Sequence, residues 1–454
     1  DIHPPGYYLM LLAWRTIVDP TLSHGLEYLL GWSSLAWGML VVALLYPLGR
    51  KLLDRRSAVI AVWLAAVNPF HVWYSQEVRM YTMGAALGLL CLWAALKWRE
   101  AGSGRRIFLA LYVACAAGGL YTLYYFALLL VAINLIVLLL LWRDPSASHG
   151  AFRDSVLTWL AAQIGVLLLF SPWLPILWRQ ASNPPVPPWR QPWTTLPEFM
   201  ATVGESLSGL FAGQAPPGGI QWPWALIALA ATAIFVLSPA IESTPLDSRP
   251  GTGMARGKGF EARTVILSYV FLPIGILYIA TLLLTPVYHV RYLYTYAPPF
   301  MLIVASSVSV LWAKRRWLGI GSLALVIGIS FAGLQQAWFN PLYRADDHRT
   351  AVADLAEHWR PGDLILVNAG WAYTAIDTDW PQQVDGPHGS RPPHLAGVWR
   401  FSDMPDPAVI DQPIAAVTGS VDGEESLGWG DPDSDFFAVT RSETIAALDA
   451  LAHD

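Results

Sequence analysis

Apolar segments of about 20 residues recur along this chain, and they constrain its fold more than any other feature. A helix needs roughly 17 to 25 apolar residues to cross the hydrocarbon layer of a bilayer. Ten segments have this character, at 28–49, 57–73, 76–97, 106–122, 124–142, 155–178, 223–240, 264–284, 293–312 and 317–337. Composition agrees, since 55% of the residues are hydrophobic and only 13% are charged, unlike a soluble domain. The sequence therefore predicts a mainly α, polytopic transmembrane helical bundle with about ten spans.

Basic residues are distributed unevenly between the connections of these segments. Of the 28 Lys and Arg residues, 17 lie in alternate connections, within 50–56, 97–106, 143–153, 249–263 and 314–316. Cytoplasmic connections carry the excess of Lys and Arg, so we expect these to be cytoplasmic. The extracytoplasmic face then holds 1–27, 70–76, 180–222, 285–292 and everything after Asn340. The predicted location is the inner (plasma) membrane, crossed many times.

The chain opens at Asp1 within a predicted outer connection, without a start methionine or a charged leader. We therefore expect a further span upstream of Asp1, so that residues 1–341 form a transmembrane module whose first span is missing.

The last part of the chain, residues 342–454, has a different composition. It holds 20 of the 33 acidic residues but only 6 of the 28 basic ones. Apolar runs at 364–367, 415–421 and 436–440 predict strands, whereas 352–359 and 443–452 have helical spacing. We expect residues 342–454 to form a soluble extracytoplasmic α/β domain. Its acids are scattered, which is typical of a solvated surface rather than a cation site.

Charged residues at the outer ends of predicted spans are the candidates for a functional site. Ionisable residues at membrane depth are costly and often belong to a pathway or a site. Glu77 and Arg79 lie in the segment 68–81, between two predicted spans. We expect Ser75 to cap the following helix, with Glu77 in its first turn. Two residues apart on a helix, Glu77 and Arg79 would point to nearly opposite sides, so each needs another partner; the alternative for Arg79 is snorkelling to the interface.

Two further outer segments carry polar residues at a predicted helix start. Arg291, in Tyr-His-Val-Arg-Tyr-Leu at 288–293, precedes another span. Two cations beside two sets of free helical N–H groups would form an anion site of the kind that binds phosphate. In the first outer segment, Pro4 and Pro5 fix the backbone before a helix, so that Asp1 and His3 would be held in place. Snorkelling of Arg291 and an ordinary helix start are the alternatives.

The outer loop 181–222 is long and rich in Trp and Pro, and it carries the acids Glu198 and Glu205. Aromatic residues at a membrane boundary are usually interface anchors. A sugar-stacking surface or a lid over an acceptor is the functional alternative, since long ordered loops are often functional. Cys91 and Cys115 both lie inside predicted spans, which gives neither a disulfide framework nor metal-ligand spacing.

Together these motifs resemble those of the bacterial GT-C membrane glycosyltransferases, closest to the branch of protein O-mannosyltransferases and aminoarabinose transferases. The motifs are His-Pro-Pro-x-Tyr-Tyr at 3–8, Pro-Phe-x-x-x-Tyr-Ser-Gln-Glu-x-Arg-Met-Tyr at 69–81 and Arg-Tyr-Leu at 291–293. The resemblance runs from Asp1 to about Val367 and includes the predicted extracytoplasmic tail. It implies a transmembrane helical bundle of the GT-C type.

The resemblance also implies a function. A polyprenyl-phosphate-sugar-dependent glycosyltransferase, a hexosyl or pentosyl transferase, would move a sugar with inversion to an acceptor on the extracytoplasmic face. Its expected partners are membrane lipids, the lipid-linked donor and a glycan, lipid or protein acceptor, with no nucleic acid. No cofactor beyond the donor is certain, and a divalent metal is compatible with the resemblance although no metal ligands are assigned.

The same resemblance assigns residues. Arg79 and Arg291 match positions near the lipid phosphate, and His3 stands where relatives often carry a phosphate-binding lysine. Tyr74 and Tyr292, in the same motifs, are expected to contact substrate. The family places its catalytic acid just after a first span, upstream of this sequence, so the candidates within the chain are Asp1 and Glu77.

The main alternative is a secondary transporter or flippase for a lipid-linked or anionic substrate. Transporters tend to show internal repeats and broken helices with polar residues near the midplane. Neither is clear in this sequence, and its polar residues cluster at span ends. A receptor whose tail is the working part would need a recognisable site after residue 342, and no such motif is present in the sequence.

Overall fold

In a computed structural model, the described residues are 3–18, 26–100, 104–144, 148–182, 193–214, 221–239, 255–284, 286–341, 347–358, 365–367, 376, 398–399 and 415–417. The helices of this part of the chain are α1 (Gly6–Val18), α2 (Leu26–Leu52), α3 (Arg55–Ala66), α4 (Pro69–Gln76), α5 (Tyr81–Glu100), α6 (Arg105–Thr122), α7 (Phe126–Trp142), α8 (His149–Phe170), α9 (Leu174–Ser182), α10 (Leu196–Ala212), α11 (Trp222–Leu237), α12 (Ala255–Leu283), α13 (Phe300–Lys314), α14 (Arg316–Phe339) and α15 (His348–His358). The strands are β1 (Ile365–Val367), β2 (Val398–Trp399) and β3 (Ala415–Val417).

Each apolar segment of the sequence overlaps an α-helix or a helix pair, although the segment at 293–312 is α-helical only from Phe300. Among the described residues, five helices are long and apolar enough to cross a membrane, and α3 with α4 makes a sixth if the two form one span. Three shorter apolar helices are α7, α11 and α13. The mainly α, polytopic helical bundle is thus confirmed, while the number of spans stays a prediction.

The span predicted at 57–73 is broken, because Asn68 stops the first helix and starts the next. The axes of α3 and α4 differ by 52°. The Asn68 side-chain oxygen accepts a hydrogen bond from the His71 N–H at 3.0 Å, and Pro69 occupies the start of α4, where its missing N–H costs nothing. The Asn68 amide also donates to the Phe211 carbonyl at 3.1 Å. The break is therefore tied to the C-terminal end of α10.

Two ion pairs join helix ends on the predicted cytoplasmic side. Lys51 of α2 pairs with Glu100 of α5, and Arg99 of α5 pairs with Glu261 of α12. Three of these four side chains are no more than 26% exposed, so solvent screens the pairs less than it would at an open surface. They hold α2, α5 and α12 together at the end of the bundle opposite the site described below.

Close helix packing at Gly119 leads to a testable difference between two adjacent glycines. A Cβ at Gly119 would overlap the ring of Phe126, which is fully buried, whereas a Cβ at Gly118 would meet only Leu87 at 3.7 Å. We expect Gly119→Ala to destabilise the protein by about 1–3 kcal/mol through overpacking, and Gly118→Ala to be neutral or slightly stabilising. Thermal unfolding of the two variants in the same detergent measures this. Equal melting temperatures would contradict the packing.

The chain divides into two compact units, one of residues 1–178 and 193–343 and the other of 179–192 and 344–454. In the second unit, β1, β3 and β2 form a parallel sheet in that order. Strands β1 and β3 lie within the strands predicted at 364–367 and 415–421, whereas β2 was not predicted. The strand predicted at 436–440 and the helix predicted at 443–452 lie outside the described residues. Parallel strands fit the predicted α/β class. The domain limits at 341 and 342, and the extracytoplasmic location, stay predictions.

Candidate functional site

The turn between α4 and α5 carries Glu77 and Arg79, and it differs from the prediction. Ser75 is not the cap of a following helix: it lies within α4, and its hydroxyl donates to the His71 carbonyl at 2.7 Å. Residues 77–80 form a turn in which the Arg79 N–H donates to the Glu77 carbonyl at 2.8 Å. The prediction that Glu77 occupies the first turn of a helix is therefore wrong. The turn presents both charged side chains on the predicted outer side of the bundle.

The first outer segment is held against this turn through α2. The Tyr7 hydroxyl lies 3.0 Å from the Ser34 hydroxyl, and Ser34 in turn reaches the Arg79 carbonyl at 3.5 Å. A Cβ at Gly6 would overlap the backbone of Tyr121, so only glycine allows this close approach. As a result, His3 lies close enough to Arg79 to interact with it electrostatically.

Arg291 also lies outside a regular helix, contrary to the prediction. Residues Val290–Thr295 form a 3-10 segment, and α13 begins only at Phe300. Pro298 and Pro299 account for the delay, because a residue before proline disfavours helical backbone. The Arg291 guanidinium donates to the His289 ring at 3.2 Å and interacts electrostatically with Tyr81. The predicted anion site would therefore consist of guanidinium groups rather than of helix ends.

His3, Arg79 and Arg291 meet at one place although they come from three distant parts of the sequence. Burial first, and then the charges of Arg79 and Arg291, lower the pKa of His3 to about 4. His3 is therefore neutral near pH 7, where it can form a hydrogen bond to an anion but adds no charge. The positive charge of the site comes from the two arginines, and neither forms an ion pair with a described residue.

Glu77 is the carboxylate of this cluster. The Trp73 indole N–H donates to its Oε1 at 2.7 Å. Burial raises the pKa of Glu77, and this effect outweighs the opposing effects of the Trp73 hydrogen bond and of Arg79 and Arg291. The carboxylate thus lies near both arginines without being held in a salt bridge to either, which leaves it able to accept a proton or a hydroxyl hydrogen bond.

Aromatic side chains line the same place. Tyr74 is buried and packs edge-on against Tyr81 at 4.9 Å between ring centroids. Tyr292 stacks on Tyr125 with centroids 4.1 Å apart. Electrostatic contacts connect Tyr74 with Glu77 and Arg291, and Tyr292 with Arg291. The structure therefore brings together all of the predicted site residues that it describes.

Tyr81 and Glu205 lie near these residues but were not predicted as site residues from the sequence. Asp1, which was predicted, lies outside the described residues. Tyr81 is the last residue of the 69–81 motif and could have been found there; Glu205 was noticed only as an acid of the outer loop. Glu205 projects from α10 and interacts electrostatically with Tyr74. In the part of the chain that the structure describes, no three His, Cys, Asp or Glu side chains come together as potential metal ligands.

Comparison with solved structures gives distant similarities in the arrangement of helices. The Archaeoglobus fulgidus oligosaccharyltransferase in complex with Zn and sulfate is 11% identical, with a TM-score of 0.47 over 88% of this chain and 51% of that one. AglB from the same organism, in complex with an inhibitory peptide and a dolichol-phosphate, is 13% identical, with a TM-score of 0.43 over 88% and 54%. This chain thus spans about half the length of the oligosaccharyltransferases.

ArnT from Cupriavidus metallidurans in the apo state is 17% identical, with a TM-score of 0.40 over 80% of this chain and 72% of that one. No curated protein sequence matches the chain.

The family comparison is more direct. Residues 4–176 match the family described as Dolichyl-phosphate-mannose-protein mannosyltransferase. This stretch includes Pro4 and Pro5 of the first motif and the whole Ser-Gln-Glu-x-Arg motif, but neither His3 nor Arg291. The match confirms that this part of the chain is similar to the GT-C membrane glycosyltransferases of the protein mannosyltransferase type, as its motifs predicted.

Proposed function

We propose that this protein is an inverting glycosyltransferase that takes a sugar from a polyprenyl-phosphate donor and passes it to an acceptor on the extracytoplasmic face. The observation that carries the proposal is the meeting of Arg79 and Arg291, two guanidinium groups without an ion-pair partner among the described residues, beside the Glu77 carboxylate. Lipid phosphates of this class are bound in two of the similar structures, a dolichol-phosphate in AglB and undecaprenyl phosphate in ArnT.

In this proposal, each charged group has one role. Arg79 and Arg291 bind the donor phosphate and stabilise the charge that builds on it as the bond between the anomeric carbon and the phosphate oxygen breaks. A carboxylate takes the proton of the acceptor hydroxyl, which attacks the anomeric carbon from the opposite face. Glu77 and Asp1 are the carboxylates of this chain proposed for that step.

A transferase and a flippase predict different fates for the donor. The full-length protein in proteoliposomes, given polyprenyl-phosphate [14C]mannose and an envelope extract as acceptor source, is expected to transfer label to the acceptor and leave polyprenyl phosphate. Donors carrying other hexoses and pentoses then identify the sugar. Movement of intact donor between leaflets without cleavage would establish a flippase instead. Absence of transfer from every donor would reject the transferase.

A further inference from the structure

A second polar cluster lies next to the arginine site and is built from α10, α12 and the segment 286–289. The Tyr278 hydroxyl donates to the Ser206 hydroxyl, which lies 2.8 Å from the Tyr288 hydroxyl. The Tyr288 hydroxyl donates to Glu205 Oε2 at 3.3 Å. Three hydroxyl groups thus form a chain that ends at a carboxylate. Neither the phosphate contacts nor the proton transfer proposed above uses this cluster.

Glu205 differs from Glu77 in its electrostatic environment: Arg79 and Arg291 act on Glu77, whereas no Lys or Arg in the described part of the chain acts on Glu205. Among the described residues it forms no ion pair, and its Oε1 atom has no hydrogen-bond partner. Burial raises the pKa of Glu205, opposed only by the hydrogen bond from Tyr288. The Oε1 atom is open rather than enclosed by protein, so a ligand can donate a hydrogen bond to it in place of solvent. The negative charge of Glu205 disfavours a phosphate here and favours a neutral donor such as a hydroxyl.

Aromatic rings adjoin the carboxylate. The Trp193 ring lies 5.4 Å from Phe199, 5.5 Å from Tyr278 and 5.6 Å from Tyr288, centroid to centroid. All four rings remain partly exposed. An aromatic face is apolar and carries negative charge density, which suits the C–H face of a sugar ring. The sugar hydroxyls can then donate to a carboxylate and exchange hydrogen bonds with tyrosine hydroxyls.

The cluster lies beside the arginine site. Tyr288 is three residues before Arg291 in the same segment, and Tyr74 interacts electrostatically with both Arg291 and Glu205. We propose that Trp193, Tyr278, Tyr288 and Glu205 form a saccharide-binding subsite for a neutral sugar ring next to the anion site. The proposal that this cluster binds a sugar depends only on the contacts given above. The role of that sugar in transfer rests on the proposed function.

Binding of simple glycosides to the purified full-length protein in nanodiscs tests the subsite. The probes are methyl α-D-mannopyranoside, methyl β-D-galactopyranoside and methyl α-L-arabinofuranoside, followed by saturation-transfer difference NMR. We expect at least one to bind, and Glu205→Gln and Trp193→Ala each to weaken it about tenfold or more. Tenfold corresponds to about 1.4 kcal/mol, a modest value for a charge-assisted hydrogen bond.

Two matched variants serve as controls. Glu198 lies on α10 two turns before Glu205, is exposed, and caps the helix with Thr195; Gln preserves that capping, so Glu198→Gln is expected to bind like the wild type. Trp142, 69% exposed at the other end of the bundle, gives Trp142→Ala as the second control. Retained binding of polyprenyl phosphate by Glu205→Gln and Trp193→Ala shows that they fold. If no glycoside binds, or if these two variants bind like the controls, the subsite is rejected while the anion site still stands.

Competition identifies the source of the sugar. Displacement of the glycoside by polyprenyl-phosphate mannose, but not by polyprenyl phosphate, assigns the subsite to the donor sugar. Persistence of the glycoside with both lipids assigns it to a saccharide acceptor. If polyprenyl phosphate without a sugar displaces the glycoside, the glycoside lies at the arginines and the proposal is overturned.

Discussion

Replacing Arg79 or Arg291 with alanine is expected to remove most transfer activity while the protein still inserts into the membrane. Each change deletes a charge-assisted contact to the donor phosphate in a poorly hydrated site. Such a contact contributes about 2–4 kcal/mol to the transition state, or roughly 30- to 1,000-fold in rate. Initial rates of sugar transfer in proteoliposomes, at donor concentrations below and above KM, measure the loss.

Lysine variants and a remote arginine make this test specific. Lysine at either position is expected to restore only part of the activity, because a point charge replaces a two-pronged guanidinium. Arg153→Ala is the control, since Arg153 is 78% exposed and lies in a predicted cytoplasmic connection. Normal rates in Arg79→Ala and Arg291→Ala would mean that the two arginines are interface anchors and that the phosphate lies elsewhere.

Glu77→Gln is expected to separate chemistry from donor binding. Loss of a general base slows transfer by about 100-fold or more. Affinity for polyprenyl phosphate should stay equal or rise, because the change removes a negative charge near both arginines; glutamine can still accept the Trp73 hydrogen bond. Transfer rates and equilibrium binding of polyprenyl phosphate, with Glu198→Gln as the control, measure the two effects.

The pH dependence of the transfer rate also tests whether Glu77 is the general base. A base works only when deprotonated, so the wild-type rate should fall as the pH drops through the raised pKa of Glu77, and Glu77→Gln should lack this decrease. A parallel fall of rate and affinity in Glu77→Gln would make Glu77 a residue that positions the arginines. An unchanged rate would move the proton transfer to another carboxylate, such as Asp1.

The fold could be predicted wherever one physical requirement dominates the sequence. Long apolar segments predicted the helices because a bilayer leaves the backbone few alternatives. The break at Asn68 was not predicted, since its cause lies partly in a contact with Phe211, far away in the sequence. The Asn-Pro pair at 68 and 69 was the local signal that could have placed it.

The residues of the candidate site could be selected from the sequence, whereas their geometry could not. Arg79 and Arg291 could be selected because cations are unexpected on the outer face of the membrane. Their placement in non-helical backbone depends on residues 77–80 and on Pro298 and Pro299, which delay the next helix. The electrostatic interactions of Arg291 with Tyr81 and of Glu205 with Tyr74 depend on helix packing that residue patterns do not encode.

The most direct test of the account is the position of a lipid phosphate in a structure of the full-length protein in nanodiscs with polyprenyl phosphate. We expect the phosphate to lie within hydrogen-bonding distance, about 3 Å, of the guanidinium groups of both Arg79 and Arg291, with His3 beside it. The Glu77 carboxylate should lie nearby without touching the phosphate. A phosphate bound elsewhere, with both guanidinium groups turned toward the lipid headgroups, would contradict the proposed function at its centre.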